Sequence, residues 1–197
     1  MRVIVGLGNP GMEYAWTPHN LGFLAIDALA EDFGIRVTRP ESKSHMGVGQ
    51  IAGHEVVLAK PQTMMNLSGL AVRELVSRAG CEPSDVIVLC DDIALPWGML
   101  RVRERGTAGG HNGLKSVIGA LGTMEFVRVR LGVKPEEMRG DLREYVLRQI
   151  RRDEEDLVGE EIGQGVEAVK VILAEGTQAA MNRFNRRISP QDEANSE

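Results

Sequence analysis

The sequence predicts a single α/β domain, with helices covering both faces of a twisted, mixed and largely parallel sheet in a three-layer α/β/α arrangement. Three observations lead to this fold class. Apolar runs of strand length alternate along the chain with segments of helical periodicity. Residues 86–89 are continuously apolar, as in a strand that is buried on both faces. The length of 197 residues suits one domain with a sizeable core.

The first strand is predicted at residues 3–5, a β-branched run that leads into a glycine-rich turn at Gly6, Gly8 and Gly11. A helix follows, because apolar residues recur at helical spacing: Leu21, Leu24, Ala25, Ala28 and Leu29. Asn20 suits the N-cap of this helix and Gly34 its C-cap.

A hairpin and a second helix come next. Residues 45–51 and 55–60 predict two strands joined by a turn at Gly53 and His54. A loop then leads to a helix over residues 68–79. The buried strand at residues 86–89 follows, with Asp91 and Asp92 at its carboxyl end.

The second half begins with a turn at residues 96–98. The segments after it are predicted as a strand over 99–105, a glycine-rich loop over 106–113, a helix to Leu121, a strand over 126–132, and helices over 142–147, 153–175 and 177–184. We expect residues 1–185 to form the domain and the polar residues 186–197 to be a disordered tail.

Composition narrows the class of protein. Hydrophobic residues make up 43% of the chain and charged residues 26%, and no apolar run is long enough to cross a membrane. Cys81 and Cys90 form no metal spacing or disulfide framework. We therefore expect a cytoplasmic protein without a membrane partner. The formal net charge of -5 argues against broad nonspecific nucleic-acid binding, but a local basic patch remains compatible with it.

Polar residues are concentrated at predicted strand ends and loops: Asn9 with His19, Met65 with Asn66, Asp91 with Asp92, and His111 with Asn112. A histidine can act as a general base near neutral pH, and a carboxylate on its second ring nitrogen fixes the tautomer. Asparagine amides can orient a carbonyl or stabilise an oxyanion without titrating. Such a set predicts direct activation of water, with no covalent nucleophile.

Structural interpretations of the same residues stay open at this point. Asn9 can be a turn former, Asn66 a helix cap, and a lone loop histidine such as His19 or His111 can be structural. Asp91 and Asp92 can bind a divalent metal. Cys90 can be a nucleophile, although its place in an apolar strand favours a buried, inert thiol.

The glycine turn also matches the dinucleotide-binding pattern G-x-G-x-x-G letter for letter at residues 6–11. That site requires a helix N-terminus directly after the glycines and an acidic residue at the end of a second strand. Pro10 and Pro18 oppose an immediate helix, and Asp27 lies inside the predicted helix. We therefore do not favour a nicotinamide-dependent oxidoreductase.

Basic residues alternate along two predicted strands, so that Arg101, Arg103 and Arg105 share one face and Arg128 and Arg130 share another. Clusters of this kind can contact nucleic-acid phosphates. They fit a sheet face that is simply exposed to solvent equally well.

Four motifs in order resemble the bacterial-type peptidyl-tRNA hydrolase family. They are V-G-L-G-N-P-G-x-x-Y-x-x-T-x-H-N-x-G-F at 5–23, K-P-x-T-x-M-N-x-S-G at 60–69, D-D-x-x-L-P-x-G at 91–98 and G-G-H-N-G-L-K at 109–115, and a closing A-M-N-x-F-N lies at 180–185. The resemblance implies a cytoplasmic, usually monomeric enzyme without cofactor or metal. It would hydrolyse the ester between a peptide and the 3′ ribose of tRNA, recycling tRNA from stalled translation.

The resemblance also assigns roles by position. His19 is the catalytic base, Asp91 orients it, and Asn9 helps to hold the reacting water or the ester. The implied substrate-binding residues are Tyr14, Met65, Asn66, His111 and Asn112, and the implied contacts to tRNA phosphates are Arg101, Arg103 and Arg130. Two positions depart from the family pattern: Pro18 replaces the usual arginine before the histidine, and Ala94 replaces a frequent acid. Neither change removes a catalytic residue. A catalytically silent RNA-binding protein on the same scaffold is the alternative.

Overall fold

A computed structural model describes residues 1–137 and 140–185 of the chain. The disordered tail predicted at 186–197 lies outside the described residues. The described residues form seven strands: β1 (Arg2–Gly6), β2 (Arg39–Glu41), β3 (Ser44–Ile51), β4 (His54–Pro61), β5 (Val86–Pro96), β6 (Leu100–Arg103) and β7 (Val127–Lys134). They form one sheet in the order β2-β3-β4-β1-β5-β7-β6.

The centre of the sheet is parallel and its edges are antiparallel. Strand β1 pairs in parallel with β4 and β5, and β5 pairs in parallel with β7. The pairs β2/β3, β3/β4 and β6/β7 are antiparallel. The mixed, largely parallel sheet predicted from the sequence is therefore confirmed.

The same part of the chain contains six α-helices: α1 (Leu21–Asp32), α2 (Ser68–Ala79), α3 (Asn112–Leu121), α4 (Leu142–Leu147), α5 (Glu155–Glu175) and α6 (Thr177–Phe184). Helices α1, α5 and α6 pack in one apolar cluster, and α2 and α3 pack in a second cluster on the opposite face. No helix among the described residues is long and apolar enough to cross a membrane.

Alternation along the central strands divides the core between these two clusters. In β1, Val3 and Val5 contact the α2 and α3 side, whereas Ile4 contacts the α1 and α5 side. Strand β5 divides in the same way, with Val88 on one side and Leu89 on the other. Because successive strand residues point to opposite faces, a continuously apolar strand must be covered on both. The three-layer prediction is thereby confirmed.

The glycines after β1 serve packing against α1. A Cβ added to Gly6 would lie 2.0 Å from the carbonyl oxygen of Gly22, and one added to Gly8 would lie 2.7 Å from the Phe23 ring. Any larger residue there would displace α1, because Gly22 in turn lies against the backbone of Leu7 and Leu89. These close approaches seat the N-terminal end of α1 on the strand ends.

Several predicted boundaries were wrong. Strand β5 continues past Leu89, so that Asp91 and Asp92 lie within it, and β6 ends at Arg103. The hairpin turns at Ala52 and Gly53, both of which have positive φ. Strand β2 was not predicted, since Pro40 and its three-residue length give no strand pattern.

Candidate active site

The carboxyl ends of the parallel strands and the N-terminal ends of three helices meet at one cavity of about 640 Å³. Asn9 follows β1, and His19 lies in a 3₁₀ turn, Pro18–Asn20, before α1. Asn66 lies in a second 3₁₀ turn, Met65–Leu67, before α2. Asp91 comes from β5, and Asn112 begins α3. Open α/β sheets bind ligands at this edge.

At the cavity wall, two histidines share one carboxylate oxygen. The Nδ1 atom of His19 lies 2.8 Å from Oδ1 of Asp91, and the Nε2 atom of His111 lies 3.0 Å from the same oxygen. The backbone N–H of Leu114 donates to Nδ1 of His111, so the proton of a neutral His111 sits on Nε2 and is donated to Asp91. His19 donates likewise through Nδ1, which leaves the lone pair of its Nε2 free.

Burial and charge oppose each other in this group. Burial lowers the pKa of the His19 imidazole, but the charge of Asp91 and the hydrogen bond to it raise that pKa more, so the net pKa lies above 6.5. Burial alone would raise the pKa of the Asp91 carboxyl, whereas the two imidazoles hold it well below its usual range. At neutral pH, Asp91 is therefore ionised and ready to stabilise an imidazolium at His19.

Asn9 is fixed on three sides. Its backbone N–H donates to Oδ1 of Asn20, its carbonyl oxygen accepts from Nδ2 of Asn20, and its side-chain oxygen accepts from the backbone N–H of Met65. Because that oxygen is occupied, the NH₂ group is the part of the Asn9 side chain that remains to donate into the cavity. Asn20 occupies the predicted N-cap position of α1, but its side chain binds the backbone of Asn9 and makes no cap bond.

The other predicted substrate residues differ in position. Met65, Asn66, His111 and Asn112 all line the cavity. Tyr14 is not among its lining residues, and its role stays a prediction.

The basic residues divide into a buried and an accessible group. Cross-strand register places Arg101 opposite Arg130 and Arg103 opposite Arg128, all on one face. Arg128 is 1% exposed and donates to the carbonyls of Met124 and Phe126 and to those of the loop at Gly106 and Thr107. It is therefore a structural residue.

Arg130 lines the cavity and its Nε lies 3.1 Å from Oδ2 of Asp92. Its guanidinium lies close to Gly109, where an added Cβ would come within 2.6 Å of Nη2. Arg101 is half-buried and Arg103 is exposed. These three arginines thus run from the cavity onto the adjacent sheet edge.

The alternatives from the sequence can now be weighed. Cys90 is fully buried in the α2 and α3 core, and burial raises the pKa of its thiol, so it is no nucleophile. Asp92 is engaged by the Ala94 N–H and by Arg130. Within residues 1–137 and 140–185, the group with metal-ligand character is His19, Asp91 and His111, whose donor atoms lie within 4.8 Å of one another.

The dinucleotide alternative is not supported by the fold. After the glycines the chain makes turns and a 3₁₀ segment that contains Pro18, and α1 begins only at Leu21. Gly6 and Gly8 pack against Gly22 and Phe23 of α1, so they do not form an open loop that could bind a pyrophosphate.

Comparison with known proteins decides the family. The sequence profile of the family described as peptidyl-tRNA hydrolase matches residues 3–193. The chain belongs to the peptidyl-tRNA hydrolase family. The peptidyl-tRNA hydrolase of Koribacter versatilis is 54% identical over 193 residues, covering 98% of this chain and 96% of the relative. That of Solibacter usitatus is 50% identical and covers 95% of both chains.

Solved structures of peptidyl-tRNA hydrolases share the fold. The Acinetobacter baumannii enzyme has a TM-score of 0.86 at 33% identity, with 94% of each chain covered. The predicted family and enzyme class are thus confirmed: the chain is a peptidyl-tRNA hydrolase.

One wall of the cavity was missed from the sequence. It is lined by four residues of α4: Leu142, Arg143, Val146 and Leu147. A helix over residues 142–147 was predicted, but a helix prediction alone does not tell whether its apolar residues cover a core or a cavity.

Proposed function

We propose that the protein hydrolyses the ester of peptidyl-tRNA by direct attack of water, with His19 as the general base. The observation that carries this proposal is the 2.8 Å contact between His19 Nδ1 and Asp91, which leaves Nε2 as the free base at the cavity. Water gives its proton to Nε2 as its oxygen attacks the ester carbonyl carbon. The tetrahedral oxyanion then collapses, the 3′ oxygen of the ribose leaves, and the imidazolium returns the proton to that oxygen. The products are the peptide acid and tRNA with a free 3′ hydroxyl.

The asparagines place the ester. The NH₂ group of Asn9 is the donor held by Met65 beside His19, so it is assigned to the reacting water or the carbonyl oxygen. Asn66 and Asn112 are assigned to the peptide backbone. They stand at the N-terminal ends of α2 and α3, whose dipoles favour negative charge at the cavity.

The decisive assay compares ester release from N-acetyl-aminoacyl-tRNA with release from free aminoacyl-tRNA, each with and without EDTA. We expect fast release from the blocked substrate alone and no effect of EDTA, because water is activated by the histidine. Loss of activity in EDTA, restored by a divalent ion, would instead assign His19, Asp91 and His111 to a metal. Binding of tRNA without release by the folded protein would favour the silent RNA binder.

For the tRNA part, we assign phosphate contacts to Arg101, Arg103 and Arg130. Arg103→Ala is expected to weaken tRNA binding and to reduce the slope of log K against log salt by about 1, since one phosphate contact is lost. Filter binding at a series of salt concentrations between about 50 and 200 mM measures this slope. Arg36→Ala is the matched control, because Arg36 is exposed near β3, at the other end of the sheet from β6. An unchanged slope in Arg103→Ala would remove this residue from the interface.

The proposal includes a monomeric, cytoplasmic enzyme. The cytoplasmic location is supported by the two free thiols, Cys81 and Cys90, which suit a reducing compartment. The monomeric state is what the family resemblance implies.

A further inference from the structure

A buried glutamate that the chemistry does not use lies behind the active site. Glu161, on α5, has no exposed surface. Its Oε1 accepts the backbone N–H of Gly132 at 2.8 Å, and its Oε2 accepts that of Gly98 at 2.7 Å. Burial raises the pKa of this carboxyl to about 7, although both N–H donors favour the ionised form. Glu161 makes no ion pair with any residue in the described ranges, and a buried carboxylate without a counter-ion is costly, so a specific task is the natural explanation.

The hydrogen bond from Gly132 to Oε1 of Glu161 connects α5 to the strands that carry the site. Gly132 is the register partner of Asp92 and lies two residues after Arg130 on β7. The turn after β5 packs tightly there, since a Cβ on Gly132 would lie 2.0 Å from the carbonyl oxygen of Pro96. Glu161 therefore joins β7 and this turn beside Asp92.

The hydrogen bond from Gly98 to Oε2 of Glu161 connects α5 to the turn that contacts the cavity wall. Gly98 is adjacent to Trp97, whose indole N–H donates to the hydroxyl of Tyr145 at 3.0 Å. Tyr145 belongs to α4, the helix whose Leu142 and Val146 line the cavity. A series of contacts therefore runs from Glu161 through Gly98 and Trp97 to Tyr145 of α4.

We propose that Glu161 is a positioning residue that sets α4 against the active site through Gly98, Trp97 and Tyr145, and thereby tunes the fit of the acyl part of the substrate. This inference rests on the proposed function, because it takes the α4 wall to contact the peptide. It assigns no chemical step to Glu161.

The test compares N-acetyl-aminoacyl-tRNA with a tetrapeptidyl-tRNA. Glu161→Gln keeps the shape but puts an NH₂ group against a backbone N–H, so one of the two contacts is lost. We expect KM for the tetrapeptidyl substrate to rise by about 5- to 10-fold relative to the N-acetyl substrate, with kcat near the wild-type value. Glu160→Gln, the same change at the exposed neighbouring residue, should alter neither substrate.

A double-mutant cycle separates positioning from general stability. Tyr145→Phe should raise KM for the tetrapeptidyl substrate relative to the N-acetyl substrate in the same way. The double variant Glu161→Gln, Tyr145→Phe should raise this KM ratio little further than the stronger single variant, because both substitutions interrupt the same series of contacts. In a Trp16→Phe background, Glu161→Gln should also shift the emission of Trp97, the remaining tryptophan.

Two results would overturn the proposal. Equal losses on both substrates that follow the folded fraction would make Glu161 a stability residue only. A Tyr145→Phe variant with the wild-type dependence on acyl length would break the chain of contacts, whether or not Glu161→Gln folds. Either result would appear with the wild-type enzyme still active and His19 still required, so it is distinguishable from failure of the proposed function.

Discussion

Replacing His19 by alanine is expected to lower kcat for N-acetyl-aminoacyl-tRNA by about 10²- to 10⁴-fold, the range that a positioned general base contributes. The imidazole is the group at the cavity whose Nε2 can take a proton from water while Asp91 stabilises the resulting charge. KM should change little, because the asparagines and arginines that bind the substrate remain.

The matched control for this change is His54→Ala. His54 begins β4 in the exposed hairpin, so its removal should leave kcat unchanged. Thermal melting of each variant establishes that it is folded before turnover is compared. Near-normal turnover by folded His19→Ala would remove His19 from the chemistry.

The second large effect is expected for Asp91→Asn, with a fall in kcat of about 10²-fold or more. In the native protein His19 and His111 both donate to Oδ1 of Asp91, and a neutral amide oxygen is a weaker acceptor than a carboxylate oxygen. The change also removes the negative charge that stabilises the imidazolium. The reacting tautomer of His19 and its charged form are therefore both stabilised less.

Asp92→Asn is the comparison for Asp91→Asn, because Asp92 is adjacent but bonds to Ala94 and Arg130. It should alter the affinity for tRNA through Arg130 more than the turnover. If both substitutions reduced kcat equally, the assignment of Asp91 as the residue that orients His19 would be wrong.

Much of the fold could be predicted because local patterns and tertiary structure agree. The β-branched run before Gly6, the helical spacing from Leu21 and the glycine after Ala79 each give the same answer as the final packing. The misses have physical causes. Strand β5 extends beyond Leu89 because β7 pairs with Asp91 and Asp92, a long-range contact that no local window contains.

Side-chain environments were harder to predict than elements. Alternation alone grouped Arg128 with Arg130, yet the loop at Gly106 and Thr107 folds over Arg128 and buries it. Asparagine is a residue type that often caps helices through its side chain. The amide of Asn20 instead bonds to the backbone N–H and the carbonyl oxygen of Asn9.

For the site, the sequence predicted which segments carry the polar residues, and most of those residues line one cavity. Their chemical roles come from the resemblance and stay predictions. The sequence could not show that His111 shares the Asp91 oxygen with His19, because the two residues lie on separate elements that meet only when β5 is in place. Nor could it show that α4 forms a cavity wall, or that Glu161 joins β7 and the turn after β5.

The most direct test of the central claim is the pH dependence of kcat/KM in the wild type and in Asp91→Asn. A general base must be unprotonated to accept a proton, so kcat/KM in the wild type should fall as the pH drops. The midpoint of this fall reports the pKa of His19 in the free enzyme, which lies above 6.5. In Asp91→Asn the carboxylate that raises the pKa of His19 is gone, while burial still lowers this pKa. The midpoint should therefore move below 6.5, and the maximal kcat/KM at high pH should be lower than in the wild type. A midpoint that is the same in both proteins would contradict the pairing of His19 with Asp91 in catalysis.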